Sequence, residues 1–200
     1  MNATRVACIG DSLTFGYLVE NRFRNCYPAR LNDLLGESYE VRNFGVNGLT
    51  LLKSGDSPYW EHKYFNLSLE FNPHVVIIML GTNDSKPNNW TTVIDYIRDY
   101  EHMIEHYRSL LTKPNIYLLT PPTAFILEDE EDVAFGVSNE HIQKMRSAIK
   151  HIGNVKSLPV IDINEVTAPY PECFPIDGVH TNADGANLIA TTVYRAISNS

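Results

Sequence analysis

The stretch that decides the fold is Val6-Ala7-Cys8-Ile9-Gly10-Asp11-Ser12-Leu13-Thr14, in which a short apolar run ends in Gly-Asp and a serine follows. An apolar run bounded by a glycine predicts a strand buried on both faces, as in a parallel sheet covered by helices. The Ser12 hydroxyl then lies just past the carboxyl end of that strand. A serine in this position often only closes a turn or caps a helix. It becomes a nucleophile where a base takes its proton and hydrogen-bond donors bind the resulting oxyanion.

Further apolar runs of the same kind recur along the chain. The predicted strands cover residues 6–9, 41–44, 75–80, 116–119 and 160–163. Helical spacing of apolar residues predicts helices at 28–35, 59–69, 91–111, 139–152 and 183–197. This alternation predicts an α/β fold: a doubly wound, three-layer sandwich with a central parallel sheet of about five strands and helices on both faces. Ligands of such folds bind outside the carboxyl ends of the strands.

The size and composition of the chain predict a single domain over residues 1–200. A chain of 200 residues, 44% of them hydrophobic, can bury a sizeable core, and its glycines and prolines are not concentrated in a linker. The formal net charge of −8 argues against nucleic acid or anionic lipid as a partner. The three cysteines are too few and too scattered for a disulfide framework or a zinc cluster, and an odd number leaves at least one thiol free.

No apolar run approaches the length of a membrane span, so membrane insertion is not expected. The first predicted strand begins close to Met1 and leaves no room for a signal peptide, which predicts a cytoplasmic protein for the chain as written. A chain from which a leader had been removed would instead be exported. The sequence contains no patch from which an oligomeric state can be predicted.

Three more blocks with polar residues or glycines follow predicted strands. In Asp-Gly-Val-His, Asp177 is close enough to His180 to fix the imidazole tautomer and stabilise its cation. The Asn83 amide and the Gly48 backbone N–H could both donate hydrogen bonds to a developing oxyanion. Each block alone has an ordinary alternative, a solvated loop or a turn. Their convergence with Ser12 at one sheet edge favours a hydrolase site.

In order and position these blocks resemble the SGNH or GDSL hydrolases, a family of esterases and lipases with a flavodoxin-like fold, and the resemblance covers nearly the whole chain. It implies Ser12 as nucleophile and His180 as a base held by Asp177. It implies an oxyanion hole formed by the Ser12 amide, Gly48 and Asn83. No cofactor and no metal are required, and the expected partner is a small-molecule or saccharide ester.

Within that family, the strings Arg-Asn-Phe-Gly-Val-Asn-Gly at 42–48 and Gly-Thr-Asn-Asp-Ser-Lys-Pro at 81–87 are similar to bacterial carbohydrate acetylesterases of the sialate O-acetylesterase type. Four side chains in nearby loops could stack on sugars or bond their hydroxyls, or could equally pack and cap: Trp60, Trp90, Asn88 and Asn89. We therefore expect a serine esterase with a Ser-His-Asp triad that hydrolyses short-chain acyl esters, acetyl esters above all, of a carbohydrate or other polar alcohol. A lysophospholipase or thioesterase of the same family is the alternative.

Two loop features bear on the expected site. Asp11 and Asp84, the acidic members of their motifs, are expected to brace loops by hydrogen bonding rather than to transfer protons. The long connection at 121–137 could form a wall or a lid, with Phe125, Ile126 and Leu127 lining an acyl pocket. The acidic run that follows, at 128–132, is expected to be solvated.

Two other classes of protein are alternatives to the hydrolase. His102, Glu105 and His106 match a His-x-x-Glu-His pattern of zinc peptidases, but Ile104 belongs to the buried stripe of its helix, which turns the two histidines toward water. A non-catalytic flavodoxin-like domain could bind a flavin or nucleotide at the same sheet edge. Against it, Asp11 puts a negative charge at the first turn, and no glycine-rich phosphate loop is present.

Overall fold

The computed structural model describes residues 3–198, in which one five-stranded sheet of parallel strands has the order β2-β1-β3-β4-β5. The strands are β1 (Thr4–Gly10), β2 (Tyr39–Gly45), β3 (Val75–Met79), β4 (Asn115–Leu119) and β5 (Val160–Ile161). The chain moves outward from β1 to β2 and then returns to pair β3 on the other side of β1. This reversal opens a crevice beyond the carboxyl ends of β1 and β3.

Helices connect the strands and cover both faces of the sheet. They are α1 (Ser12–Phe15), α2 (Arg22–Asn25), α3 (Tyr27–Leu35), α4 (Lys63–Glu70), α5 (Val93–Arg108), α6 (Asn139–Lys156), α7 (Ile163–Thr167) and α8 (Ala183–Ser198). The predicted α/β sandwich with about five parallel strands is confirmed.

The core consists of two buried clusters, one on each face of the sheet. Along β1, Ala7 and Ile9 belong to one cluster and Val6 and Cys8 to the other. The first cluster receives apolar side chains from α4, α5 and α6, and the second from α3, α7 and α8. Because both faces are covered, β3 is apolar and buried at every position rather than at alternate positions.

The structure corrects one predicted helix and adds shorter ones. The segment predicted as one helix at 59–69 is a 3₁₀ turn, Tyr59–Glu61, followed by α4, because His62 leaves helical geometry and its Nδ1 accepts the Tyr64 N–H at 3.2 Å. The predicted strand at 160–163 ends at Ile161, since Asp162 caps α7. Helices α1, α2 and α7, each of five residues or fewer, were not predicted.

The cysteines and the helices both bear on expectations drawn from composition. All three cysteines are buried and none is disulfide-bonded. Among the helices within residues 3–198, none combines the length and apolar character needed to cross a bilayer.

Candidate active site

The Ser12 hydroxyl and the His180 imidazole, 168 residues apart in the chain, form a hydrogen bond with Oγ 2.7 Å from Nε2. The other ring nitrogen of His180, Nδ1, lies 2.7 Å from Asp177 Oδ2. Because an ionised carboxylate only accepts hydrogen bonds, Nδ1 carries the proton and donates to Asp177. Nε2 is then left to accept from the Ser12 hydroxyl. This is the arrangement in which an imidazole can take a serine proton.

Asp177 is held in place by the backbone of its own loop. Its Oδ1 accepts hydrogen bonds from the N–H groups of Val179 at 2.9 Å and His180 at 2.8 Å. Burial acts to raise the pKa of Asp177, but the hydrogen bonds from His180 and Val179 outweigh it and hold the pKa below its ordinary value. The carboxylate is therefore ionised at neutral pH and available to stabilise an imidazolium.

Ser12 owes its position to the end of β1 and the start of α1. Asp11 lies between them as the cap of α1, and its Oδ1 accepts the Leu13 N–H at 3.0 Å. The Ser12 carbonyl accepts from Gly16 and Tyr17 N–H groups at 2.9 and 3.0 Å, which close this short turn. The expectation that Asp11 braces its loop is confirmed. Its burial raises its pKa to about 7, against the lowering effect of the Leu13 hydrogen bond.

Asp84 braces the neighbouring loop. Its two carboxylate oxygens accept the N–H groups of Leu51 at 3.0 Å and Leu52 at 2.6 Å, and the side chain is fully buried. Burial raises the pKa of Asp84 to about 6 although both hydrogen bonds act to lower it. These contacts join the loop that follows β3 to the loop that carries Gly48, as expected for a bracing residue.

Gly48 and Asn83 lie together across this junction. Asn83 Nδ2 donates one hydrogen bond to Leu49 O at 3.1 Å, which leaves its second N–H for another acceptor. Gly48 has a φ of 81°, and a Cβ built there would meet no atom within 4 Å, so this position faces open space. Within residues 3–198, the backbone N–H groups of Ser12 and Gly48 form no hydrogen bond. Ser12, Gly48 and Asn83 therefore each have an N–H group that is available to a further acceptor.

A cavity of about 270 Å³ joins these groups. It is lined by Ser12, Tyr17, Asn47, Gly48, Thr82, Asn83, Lys86, Phe135, Val137, Val179 and His180. The serine, the imidazole and the oxyanion donors selected from the sequence therefore share one opening. Asp177 stands behind His180 and is not part of the lining.

Two aromatic residues of the lining were missed by the sequence analysis. The Tyr17 ring meets the edge of the His180 ring at 4.8 Å between centroids, and the Phe135 ring does so at 5.6 Å. Tyr17 lies in the turn after α1, and Phe135 lies in the 3₁₀ turn Ala134–Gly136 before α6. No spacing in the sequence marks either one, because loop packing alone brings them to the imidazole.

Other residues expected near the site lie outside the cavity lining: Trp60, Trp90, Asn88 and Asn89. The Trp60 indole N–H donates to Leu51 O at 2.7 Å, and Trp90 stacks on His141 at 4.7 Å between centroids. Asn89 Nδ2 donates to Asn83 O at 3.0 Å. These contacts are typical of residues that pack and cap, rather than of residues that bind a sugar.

The connection at 121–137 contributes to the cavity through its second half. Phe125 packs against Phe174 at 5.1 Å between ring centroids, and Ile126 is 57% exposed, so the expectation that residues 125–127 line the pocket is wrong. Phe135 and Val137 line it instead. The acidic run at 128–132 is exposed, as expected.

The described residues give no support to the zinc-peptidase alternative. Within residues 3–198, no group of three or more histidine, cysteine, aspartate or glutamate side chains is arranged to hold a metal ion. His102 and His106 are exposed on α5, as their position relative to the buried stripe predicts. The ring of His106 packs on Trp60 at 5.6 Å, and His102 Nδ1 lies 3.2 Å from Lys53 Nζ.

The sequence matches a model of the GDSL-like Lipase/Acylhydrolase family over residues 8–188. Among curated proteins, an acetylxylan esterase of Xylanibacter ruminicola is 35% identical over 217 residues, which cover 98% of this chain and 43% of that protein. The chain thus spans less than half the length of that curated relative.

Solved structures share the fold. Est24, a carbohydrate acetylesterase from Sinorhizobium meliloti, is similar with a TM-score of 0.80 at 18% identity, over 98% of each chain. The aryl esterase of M. smegmatis is similar with a TM-score of 0.79 at 19% identity, over 98% of this chain and 99% of that one. At these identities the likeness shows the fold alone.

Proposed function

The chain belongs to the GDSL-like lipase/acylhydrolase family, and from this premise we propose that it is a serine esterase that removes short acyl groups, acetyl foremost, from a carbohydrate or another polar alcohol. The observation that carries the proposal is the hydrogen bond of 2.7 Å between Ser12 Oγ and His180 Nε2. Two residues so far apart in sequence meet, in an opening that also contains oxyanion donors.

The first half of the proposed reaction forms an acyl-enzyme. Ser12 Oγ bonds to the ester carbonyl carbon while its proton passes to His180 Nε2, and Asp177 stabilises the imidazolium. The negative charge that develops on the carbonyl oxygen is bound by the N–H groups of Ser12, Gly48 and Asn83. The bond from the carbonyl carbon to the alcohol oxygen then breaks, and the imidazolium gives its proton to the departing alcohol.

The second half releases the acid and restores the enzyme. Water adds to the acyl carbonyl carbon while His180 Nε2 accepts its proton, and the same donors bind the oxyanion again. The bond to Ser12 Oγ breaks, and the imidazolium returns a proton to that oxygen. A single buried donor in such a site contributes roughly a hundredfold to a thousandfold in kcat.

The proposed substrate class rests on the size of the opening and on the relatives. A cavity of about 270 Å³ is at the small end for ligand sites, which favours a short acyl group over the long chain of a lysophospholipid. The curated relative acts on acetylxylan by its name, and one structural neighbour is a carbohydrate acetylesterase. These likenesses favour an acetylated saccharide as the substrate of this chain.

The experiment that tests the proposal compares wild type with Ser12→Ala. We expect wild type to hydrolyse p-nitrophenyl acetate faster than p-nitrophenyl octanoate. We expect Ser12→Ala to lose activity on both esters by a factor of roughly a thousand or more while keeping its fold, because no nucleophile remains. The control is Ser147→Ala, which removes an exposed hydroxyl on α6 that donates to Gln143 O at 3.0 Å.

Full activity in purified Ser12→Ala would contradict the proposed nucleophile. A preference for the octanoyl ester would contradict the short-chain assignment and favour the lysophospholipase or thioesterase alternative. Circular dichroism of each variant verifies that a loss of rate is not a loss of structure.

A further inference from the structure

Two aromatic side chains stand at the His180 end of the cavity and remain accessible. Tyr17 is 41% exposed and Phe135 is 58% exposed, although each has a large aromatic side chain. Each ring makes a T-shaped contact with the imidazole of His180, at interplanar angles of 70° for Tyr17 and 74° for Phe135. The two residues come from different segments, one after α1 and one before α6. The pair therefore forms a partly open aromatic enclosure on one side of the catalytic base.

Phe135 holds its position at a conformational cost. Its φ is 60° and its ψ is 12°, the left-handed region that a bulky side chain rarely adopts, and Gly136 follows with a φ of 68°. The strained turn is fixed on its carboxyl side, where Ser138 N–H donates to Ser85 Oγ at 3.1 Å. Strain that costs stability and exposes an apolar ring at a reactive centre points to a role in binding.

The direction of the reaction assigns these rings to one part of the substrate. His180 must give its proton to the departing alcohol, so the alcohol lies beside the imidazole. The carbonyl oxygen lies instead beside Gly48 and Asn83. Side chains that border His180 therefore border the alcohol.

We propose that Tyr17 and Phe135 form the subsite that binds the ring of the departing alcohol, and that this subsite selects cyclic alcohols such as pyranoses over linear ones. The inference rests on the proposed esterase function. The apolar C–H face of a pyranose packs on an aromatic ring, whereas a short linear alcohol covers little of it. The sugar hydroxyls are left for the polar lining, which includes Asn47 and Lys86.

The test compares a cyclic with a linear alcohol bearing the same acyl group. The probes are a monoacetylated methyl xylopyranoside and monoacetylglycerol, assayed with wild type, Phe135→Ala and Tyr17→Ala. We expect each substitution to lower kcat/KM for the acetylated xylopyranoside by about tenfold, mainly through KM, because ring packing is lost. For monoacetylglycerol we expect a smaller loss, so that the ratio of kcat/KM for the acetylated xylopyranoside to kcat/KM for monoacetylglycerol falls by about fivefold.

Phe23→Ala is the matched control, because Phe23 is 82% exposed on α2 and does not line the cavity. The inference is overturned if the two esters lose rate in parallel, which would indicate a general effect on the site. It is also overturned if neither substitution changes the ratio of the two rates. If wild type hydrolyses neither ester, the esterase proposal fails together with the inference. Failure of the subsite alone is recognised because wild type then remains active on both esters.

Discussion

Asp11 is buried beside the proposed nucleophile, and its Oδ2 has no hydrogen-bond partner within residues 3–198. Burial is the main cause that raises its pKa to about 7, and the nearby Asp84 adds to the effect. The unfolded chain would ionise Asp11 near its ordinary value of 3.8. Between about pH 4 and pH 7, Asp11 is therefore protonated in the folded protein but ionised in the unfolded chain. The free energy of unfolding falls as the pH rises through that range.

This linkage predicts how Asp11→Asn changes stability. The amide keeps a side-chain oxygen that can accept the Leu13 N–H, and it never ionises. We compare the free energy of unfolding of the variant with that of wild type at each pH. As the pH rises from 5 to 8, we expect this difference to change by about 3 kcal/mol in favour of the variant, because only wild type loses stability. Urea unfolding at both pH values measures the change.

The matched control for this prediction is Asp33→Asn, which alters an exposed carboxylate on α3. Its difference from wild type should vary little between the two pH values. A pH-independent difference between Asp11→Asn and wild type would contradict the raised pKa of Asp11.

The proposed site residues could be selected from the sequence for a physical reason. Ser12 and Asn83 lie within four residues of the carboxyl ends of apolar strands, and these ends meet at one edge of the sheet. Tyr17 and Phe135 could not be selected in this way. Their position depends on how two irregular segments fold over the sheet edge, and neither segment has a period that the sequence displays.

At the scale of elements, the loop with Asp177 and His180 depends on the segment 121–137. Phe125 N–H donates to Gly178 O at 2.8 Å, which joins the two loops edge to edge. Gly178 has a φ of 72°, and a Cβ built there would lie 1.9 Å from Phe125 O. No side chain fits without moving one loop away from the other.

Gly178→Ala is therefore expected to affect both stability and catalysis. The left-handed backbone alone costs an alanine about 1 kcal/mol, and the clash with Phe125 adds to this cost. We expect a loss of at least 2 kcal/mol in unfolding free energy, together with a lower kcat because His180 shifts relative to Ser12. Urea unfolding and the rate on p-nitrophenyl acetate measure the two effects.

Gly36→Ala separates backbone strain from the clash. Gly36 has a φ of 73°, but a Cβ there would meet nothing within 4 Å, so only the strain remains. Because Gly36 also has a ψ of −172°, a backbone region essentially confined to glycine, this control should lose about 1–3 kcal/mol and keep its kcat. A Gly178→Ala variant that keeps the kcat of wild type would refute the account of how these loops fit.

Regular elements were predictable where they are long enough to repeat a pattern. The helical spacing of Val93, Ile97, Tyr100, Ile104, Tyr107 and Leu111 predicts the helix at α5. Tyr100, Ile104 and Tyr107 are buried there, whereas Val93 and Leu111 are exposed. A helix of four residues such as α1 makes only one turn and has no period to detect. The break at His62 escaped prediction because the apolar spacing continues across it, while a side-chain cap restarts the helix.

At the scale of the whole molecule, the sheet order is what brings the site together. Ser12 follows β1 at the centre of the sheet, while His180 lies in the loop that precedes α8. Helix α8 packs against α3, on the face of the sheet to which Val6 and Cys8 of β1 contribute, and so returns the end of the chain to the neighbourhood of its beginning. The apolar runs were enough to predict a doubly wound parallel sheet, but neither its strand order nor the fit between loops at its edge.

The central claim is that His180 activates Ser12 as the nucleophile. The most direct measurement is reaction with a fluorophosphonate, which bonds covalently to an activated serine with loss of fluoride, followed by peptide mapping by mass spectrometry. We expect one adduct per chain, located on Ser12, with loss of esterase activity in proportion, and slow labelling in His180→Ala. An adduct on a different residue, or an enzyme that stays active when Ser12 is fully labelled, would contradict the claim.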